Sequence, residues 1–157
     1  MTVSHYVEAP RRYSPEPGDP PSVFLAGGIS DCPDWQRKAA EALRDLVVFN
    51  PRRAGFDLSD PAASEAQIAW EFHHLRLADV TLFWFPASDP AVTTQPITLY
   101  ELGAAAATPD RLIAVGVDPG YPRATDVRCQ LALVRPDLSV HDTLPTTVAA
   151  ARAALNG

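Results

Sequence analysis

The sequence predicts a parallel α/β fold, with helices packed on both faces of one sheet. A near-continuous apolar run at 80–85, rich in Val, Phe and Trp, is typical of a strand that is buried on both sides. Segments with this strand pattern alternate along the chain with segments of helical spacing. Loops rich in Gly, Pro and polar residues follow the strands, and open parallel sheets bind ligands where such loops leave the carboxyl ends. We therefore expect a ligand site above that edge of the sheet.

Five strands and five helices account for most of the chain. The predicted strands are residues 22–26, 47–49, 79–85, 111–117 and 138–140. The predicted helices run from 31 or 34 to about 46, from 64 to about 78, and over 97–107, 126–133 and 147–155, with Ser64 as a cap and Pro96 in a first turn. The first 21 residues hold five prolines and few aliphatic side chains, so they predict an irregular N-terminal arm. Residues 22–157 are expected to form a single α/β domain.

Length, charge and cysteine content narrow the function. A chain of 157 residues can bury a core of its own, and its formal net charge of −6 argues against a nucleic-acid polymer as partner. That charge does not argue against a small nucleoside or nucleotide. Cys32 and Cys129 have no metal-ligand spacing, so they predict free thiols, and no apolar run is long enough to span a membrane. We expect a cytoplasmic protein that uses neither a metal nor a cofactor.

Glu101 is the strongest candidate for a catalytic residue. It lies among apolar and small residues, shortly after the loop that leaves the central strand. Burial there would raise the pKa of the carboxyl group, while the helix N-terminus would favour its charged form. A positioned carboxylate can attack the anomeric carbon of a sugar or stabilise an oxocarbenium-like transition state. Spacing alone leaves a purely structural role open.

Two turns at strand ends are candidate binding elements. Gly27 and Gly28 stand between a strand and a helix, where backbone N–H groups can hold an anion or a ribose. The same glycines also fit a tight turn that binds nothing. Arg52 and Arg53 follow the second strand and can clamp a carboxylate or a phosphate, or remain solvated surface charges.

The second helix presents two faces. One is an apolar stripe of Ile68, Phe72 and Leu75. The adjoining face carries an amide, an indole, a carboxylate and an imidazole: Gln67, Trp70, Glu71 and His74. Such a face can line the rim of a substrate pocket, or it can be an ordinary solvated surface. Trp70 and Trp35, in the first helix, are surfaces on which a base could stack.

Further acidic residues gather near the ends of strands and loops. Asp79 opens the central strand, so the fold predicts that it lies at the amino end of the sheet, away from a ligand site. A capping or ion-pairing role would explain it there. Asp57, Asp89 and Asp126 are additional candidates.

Seven short motifs occur in a fixed order between about residues 22 and 130. They are Phe24-Leu-Ala-Gly-Gly28, Asp34-Trp35, Asn50-Pro-Arg-Arg53, Gln67-Ile-Ala-Trp-Glu71, Ala78-Asp79, Phe83-Trp-Phe85 and Glu101-Leu-Gly103. Together they resemble the nucleoside 2-deoxyribosyltransferase-like family. The resemblance implies a flavodoxin-like, Rossmann-like three-layer fold with a five-stranded parallel sheet. It also implies a homodimer or a higher homo-oligomer.

The resemblance implies roles for individual residues. The glutamate of the family's Glu-Leu-Gly motif is the nucleophile that takes the deoxyribosyl group from a base, and it falls on Glu101. An aspartate at the start of the preceding strand belongs to the family's active site and falls on Asp79, against the fold argument. The glycine turn at Gly27 and Gly28 lines the sugar pocket. Where the transferases carry a further aspartate, about six residues before the nucleophile, this chain has Gln95.

These residues favour two functions, and a structural oligomeric protein whose Ala- and Gly-rich helix packs against its twin is a third reading. The first is cleavage or exchange of the N-glycosidic bond of a nucleoside or nucleotide, by a deoxyribosyltransferase or an N-ribosyl hydrolase. The second is a nucleoside- or nucleotide-binding module without catalysis, which the replacement at Gln95 favours. The expected partners are a small nucleoside or nucleotide and a second copy of the chain, rather than a nucleic-acid polymer or a membrane.

Overall fold

The computed structural model describes residues 5–53 and 59–157. Its strands are β1 (Tyr6–Glu8), β2 (Ser22–Gly27), β3 (Val47–Asn50), β4 (Val80–Phe85), β5 (Leu112–Val117) and β6 (Val140–His141). Its helices are α1 (Trp35–Ala42), α2 (Pro61–Leu77), α3 (Pro96–Ala106), α4 (Ala124–Val134) and α5 (Leu144–Asn156). The strands form one all-parallel sheet in the order β1-β3-β2-β4-β5-β6. Apart from β1 this is the flavodoxin-like order, so the predicted α/β class is confirmed.

The central strands are apolar throughout because both faces of the sheet are covered. Successive side chains of a strand point to opposite faces. Phe83 and Phe85 of β4 pack in the layer that contains side chains of α2, α3 and α4. Leu82 and Trp84 of the same strand pack with side chains of α1 and α5. The chain therefore has the three layers that the fold class implies. Within the described ranges, none of the helices is long and apolar enough to cross a membrane.

The sheet has one strand more than the sequence predicted. Strand β1 lies in the segment for which the proline content predicted an irregular arm, and it pairs with β3, with Tyr6 opposite Val48 and Glu8 opposite Asn50. Its central residue, Val7, is buried. Three residues are too few to show a periodic pattern, and their conformation depends on pairing with a strand some forty positions away. A five-strand count is thus corrected to six.

Helices α1, α2, α4 and α5 have boundaries that differ from the sequence prediction by two to four positions, and α4 begins at Ala124 and α5 at Leu144. Helix α1 ends at Ala42, although Leu43 and Leu46 in the turn that follows it remain in the core. Helix α2 begins at Pro61, and its cap is Asp60, whose side chain accepts a hydrogen bond from the N–H of Ala62 at 3.0 Å. Ser64 is therefore inside the helix rather than at its cap.

The face of α2 that packs on the sheet is the polar and aromatic one. Ile68 and Phe72 of the predicted apolar stripe are 65% and 64% exposed, whereas Trp70 and His74 are buried. The Trp70 ring stacks on the His74 ring, with ring centroids 4.0 Å apart. Their polar atoms are satisfied by backbone groups, so these rings can be buried at little cost.

The same two rings hold the N-terminal arm. Trp70 Nε1 donates a hydrogen bond to the carbonyl of Arg11 at 2.7 Å. The backbone N–H of Tyr13 donates to His74 Nε2 at 3.2 Å, and His74 Nδ1 is 2.8 Å from the carbonyl of Trp70. Burial lowers the pKa of His74, which keeps the ring neutral and able to accept from Tyr13. The arm is thus a fixed part of the α2 side of the domain.

Candidate active site

A cavity of about 380 Å³ opens at the carboxyl end of β2, between the segments that follow β3 and β4. The chain crosses from β2 to β3 on one side of the sheet and then to β4 on the other side, so this is the topological switch point. The β2 end, the loop after β3, helix α2 and the start of α3 each contribute lining residues. They include Gly27, Gly28, Ser30, Pro51, Arg53, Ser64, Gln67, Ile68, Glu71, Gln95, Ile97, Thr98 and Glu101.

Glu101 lies in this cavity, on the second turn of α3. Burial raises the pKa of its carboxyl group to about 8, and the negative charge of Glu71 adds to the effect. Within the described part of the chain, no hydrogen bond stabilises its charged form. A carboxyl group with this pKa is mainly protonated at neutral pH.

Glu71 brings a second carboxyl group to the cavity from α2. Burial raises its pKa as well, but the side chain of Gln67 donates a hydrogen bond to Glu71 Oε1 at 2.9 Å, which opposes that rise. Glu71 therefore ionises first, and its charge then opposes the ionisation of Glu101. The two carboxyl groups share one proton over the intermediate pH range.

Two glutamine side chains complete the polar part of the cavity. Gln67 Nε2 also donates to the carbonyl of Pro51 at 2.8 Å, and Gln95 Nε2 donates to the carbonyl of Pro86 at 2.9 Å. Both side chains are buried. Among the residues that the structure describes, their Oε1 atoms are the buried side-chain atoms without a hydrogen-bond partner. Two residues that line the cavity thus each have a buried acceptor atom without a donor.

Gln95 is held in a left-handed conformation at the start of α3, with φ of +54° and ψ of +53°. Its N–H donates to Thr93 Oγ1 at 3.0 Å. The hydroxyl group of Tyr121, which does not line the cavity, donates to the carbonyl of Thr94 at 2.6 Å. These bonds fix an uncommon backbone geometry next to Glu101, which is typical of functional sites.

The glycine turn is required by close contacts. A side chain at Gly28 would place its Cβ 2.7 Å from Gln95 Oε1, and one at Gly27 would place it 2.4 Å from the Trp35 ring. Glycine is the residue that allows these approaches. Both glycines line the cavity.

Three of the candidate binding residues lie behind the cavity and do not line it. Trp35 is buried, and its Nε1 donates to the carbonyl of Gly28 at 3.0 Å. Arg52 donates from Nε to Gln36 Oε1 at 3.1 Å and pairs with Asp34 at 3.4 Å. Trp70 is in the core and anchors the arm, as described above. These side chains support the walls of the cavity. Of the two consecutive arginines, Arg53 lines the cavity and Arg52 does not.

The structure does not bring Asp79 and Glu101 together. Asp79 lies at the amino end of β4, where its Oδ2 accepts hydrogen bonds from the N–H and the hydroxyl group of Ser22 at 2.7 and 2.8 Å. The strand pattern of the sequence predicts this position for Asp79. The two hydrogen bonds tie the start of β2 to the start of β4. Asp89 and Asp126 are exposed and away from the cavity, and Asp57 lies outside the described residues.

Two lining residues were missed although their spacing could have revealed them. Thr98 is three positions before Glu101, and Ser64 is three positions before Gln67, so each shares a helical face with a residue that was selected. Within the described residues, no group of three or more His, Cys, Asp or Glu side chains could hold a metal ion.

A pocket with paired carboxyl groups at the switch point of a flavodoxin-like sheet defines an α/β protein of the class that binds small ligands between strand ends. A family model described as nucleoside 2-deoxyribosyltransferase like matches residues 20–121, well over half of the chain. The chain belongs to the nucleoside 2-deoxyribosyltransferase-like family, as the motifs predicted. No curated protein gives a significant match to the chain.

Proposed function

We propose that the protein cleaves or exchanges the N-glycosidic bond of a nucleoside, with Glu101 as the nucleophile. The observation that carries this proposal is the pair of carboxyl groups, Glu71 and Glu101, in one cavity beside a glycine turn. Glycosidic bonds are commonly broken by two carboxyl groups, one of which donates a proton while the other attacks or stabilises the anomeric carbon. Family membership supports the same chemistry.

In the reactive form, the proton of the pair is on Glu71 and the negative charge is on Glu101. This is the less populated of the two arrangements with one proton, because Glu71 ionises first in the free protein. The Glu101 carboxylate attacks the anomeric carbon as the carbon–nitrogen bond breaks, and the bonding electrons leave with the base. Glu71 transfers its proton to a nitrogen of that base. Water, or a second base, then attacks the sugar ester on Glu101, and Glu71 takes up the proton that the attacking group releases. Attack by water gives hydrolysis, and attack by a base gives transfer.

The remaining cavity residues bind the substrate. The glycine turn lets the sugar approach the backbone at Gly27 and Gly28, and Gln95 Oε1, which lies against Gly28, accepts a hydrogen bond from a sugar hydroxyl group. Trp35, Arg52 and Trp70 act as supports, because their polar atoms are already bonded within the protein. Asp79 acts on stability rather than on the reaction.

The test is release of free base from ribo- and deoxyribonucleosides and their 5′-monophosphates, with and without an acceptor base, followed by chromatography. We expect base release that the Glu101→Gln variant lacks. A new nucleoside formed with the acceptor base would identify a transferase. Binding of a nucleoside without base release would contradict catalysis and support a binding module.

We also propose that the protein forms a homodimer through α2 and α3. Four large apolar side chains of α2 and α3 are exposed: Ile68, Phe72, Ile97 and Tyr100. Two of them, Ile68 and Ile97, line the cavity, and exposed apolar surface is typical of protein interfaces. Light scattering should give a dimeric mass for the wild type and a monomeric mass for Phe72→Glu. The control Leu133→Glu, on α4, should remain dimeric, and a monomeric wild type would contradict the proposal.

A further inference from the structure

One wall of the cavity has a fixed hydrogen-bonding pattern. We call the pair of Gln67 and Glu71 the α2 wall. Gln67 Nε2 donates to Pro51 and to Glu71, at 2.8 and 2.9 Å, so both of its N–H groups are engaged. Rotating the amide by 180° would place Oε1 against those two acceptors. The orientation of the amide is therefore set by the protein, and its oxygen is available only as an acceptor.

This oxygen has no partner, although the Gln67 side chain is only 9% exposed. A buried acceptor without a donor is destabilising, and such atoms in native proteins have an explanation in function or ligand binding. Beside it, Glu71 uses one carboxyl oxygen to accept from Gln67, which leaves the other for the ligand. The α2 wall thus combines a fixed acceptor, Gln67 Oε1, with a carboxyl group that carries the proton in the reactive form.

We propose that the α2 wall reads the base: Gln67 Oε1 accepts from an exocyclic amino group, and Glu71 donates to the ring nitrogen next to it. The proposal rests on the proposed function, in which Glu71 protonates the departing base. An amino group beside a ring nitrogen occurs in 6-aminopurines and in cytosine. In hypoxanthine and uracil, a carbonyl oxygen takes the place of the amino group and would face Gln67 Oε1, acceptor against acceptor.

The second unpartnered oxygen provides the internal control. Gln95 Oε1 lies against Gly28, on the side of the glycine turn, and the Gln95 amide donates to Pro86 and Ser88 rather than to Glu71. It therefore contributes to binding of the sugar and not to the choice between amino and oxo bases. Each exchange for methionine removes one unpartnered oxygen and two donated hydrogen bonds. The lost bonds are those to Pro51 and Glu71 at Gln67, and those to Pro86 and Ser88 at Gln95.

The experiment is titration calorimetry with 2′-deoxyadenosine against 2′-deoxyinosine, and 2′-deoxycytidine against 2′-deoxyuridine. The wild type should bind the amino member of each pair about 10- to 100-fold more tightly, the range expected for an unsatisfied buried group. In Gln67→Met this ratio should fall to about 1. Gln95→Met should weaken the binding of both members equally and keep the ratio.

A wild-type ratio near 1, a ratio that survives Gln67→Met, or no binding of any of the four nucleosides would overturn the proposal. Circular dichroism shows whether each variant folds. Where a variant does not fold, the ratio of wild-type affinities for the amino and oxo nucleosides still tests the proposal. Binding does not require turnover, so the two proposals fail separately. Base release that depends on Glu101 but is equal for amino and oxo bases would support the proposed function and contradict the recognition by the α2 wall. Selective binding without base release would support the recognition and contradict the proposed function.

Discussion

The two ends of strand β4 carry acidic residues in opposite conditions. At the amino end, Asp79 is exposed and accepts two hydrogen bonds from Ser22. At the carboxyl end, beyond the loop, Glu101 is largely buried, accepts no hydrogen bond within the described residues and has its pKa raised to about 8. The first carboxylate is satisfied by the protein itself. The second lacks such a partner, so a ligand that donates a hydrogen bond to it would stabilise its charged form.

The difference shows how a parallel sheet separates stability from chemistry. All strands are parallel, so the loops that lead into helices lie together at the carboxyl ends of the strands. The segments that enter the strands lie at the amino ends, where neighbouring strands are held together. An acid that fixes two strands is part of the framework. An acid that is buried and unpaired costs stability, and proteins retain such groups at functional sites.

The largest effect that would sharpen this contrast concerns the second acid of the cavity. Glu71→Gln should lower kcat for nucleosides by about 10²- to 10⁴-fold, because it removes the proton donor for the departing base. Single-turnover kinetics would measure the loss. The matched substrate is 7-methylguanosine, whose positively charged base leaves without a proton and should be affected little. An equal loss for both substrates would assign Glu71 a structural role.

A smaller effect is expected from pH. The reactive pair holds one proton, so kcat/KM should decline about tenfold per pH unit above the pKa of about 8, where the last proton is lost. It should also decline in acid, where Glu71 and Glu101 are both protonated. In Glu71→Gln the alkaline decline should disappear, because Glu101 then ionises without an opposing charge and no proton donor remains to be lost. A wild-type profile that stays level above pH 9 would contradict the shared proton.

The smallest effect concerns the free energy of unfolding. The pKa of Glu101 is raised on folding, so the stability that its neutral form contributes is complete at acid pH and is lost as the pH rises through about 8. Glu101→Gln has no such loss and should be more stable than the wild type at pH 8.5 by about 2 kcal/mol, after allowance for solvent in the open pocket. Asp79→Ala should be less stable by about 1 kcal/mol, because two hydrogen bonds are removed. Urea unfolding at pH 8.5 and pH 5 measures the free energy of unfolding of both variants. Changes of the same sign for the two variants at pH 8.5 would contradict the contrast between Asp79 and Glu101.

The sequence was sufficient for the fold wherever strands are long and apolar. The run at β4 and the alternation with helices predicted the sheet and its layers. Strand β1 was out of reach, because three residues adopt that conformation only beside β3. The face of α2 was also misjudged: Trp70 and His74 can be buried only because Arg11 and Tyr13, some sixty positions away, supply backbone partners.

The site could be predicted in part. Glu101, Gln95 and the glycine turn follow strands, and the order of the fold sends all strand ends to one edge. Trp35 and Arg52 were expected to contact a ligand, but side-chain direction depends on packing that the sequence does not show. For Asp79, the rule about strand ends predicted the position that the structure has, and the active-site role implied by the family resemblance stays a prediction.

The margins of the sheet have a further consequence, for aggregation. Strands β2 to β5 are apolar and would pair readily with strands of other molecules if an edge were open. The outermost strands, β1 and β6, have only three and two residues, and they include Glu8 and His141. Little backbone is left at either margin to recruit another chain. Pairing of the short β1 with β3 thereby covers an edge at which a longer apolar strand would be open to other chains.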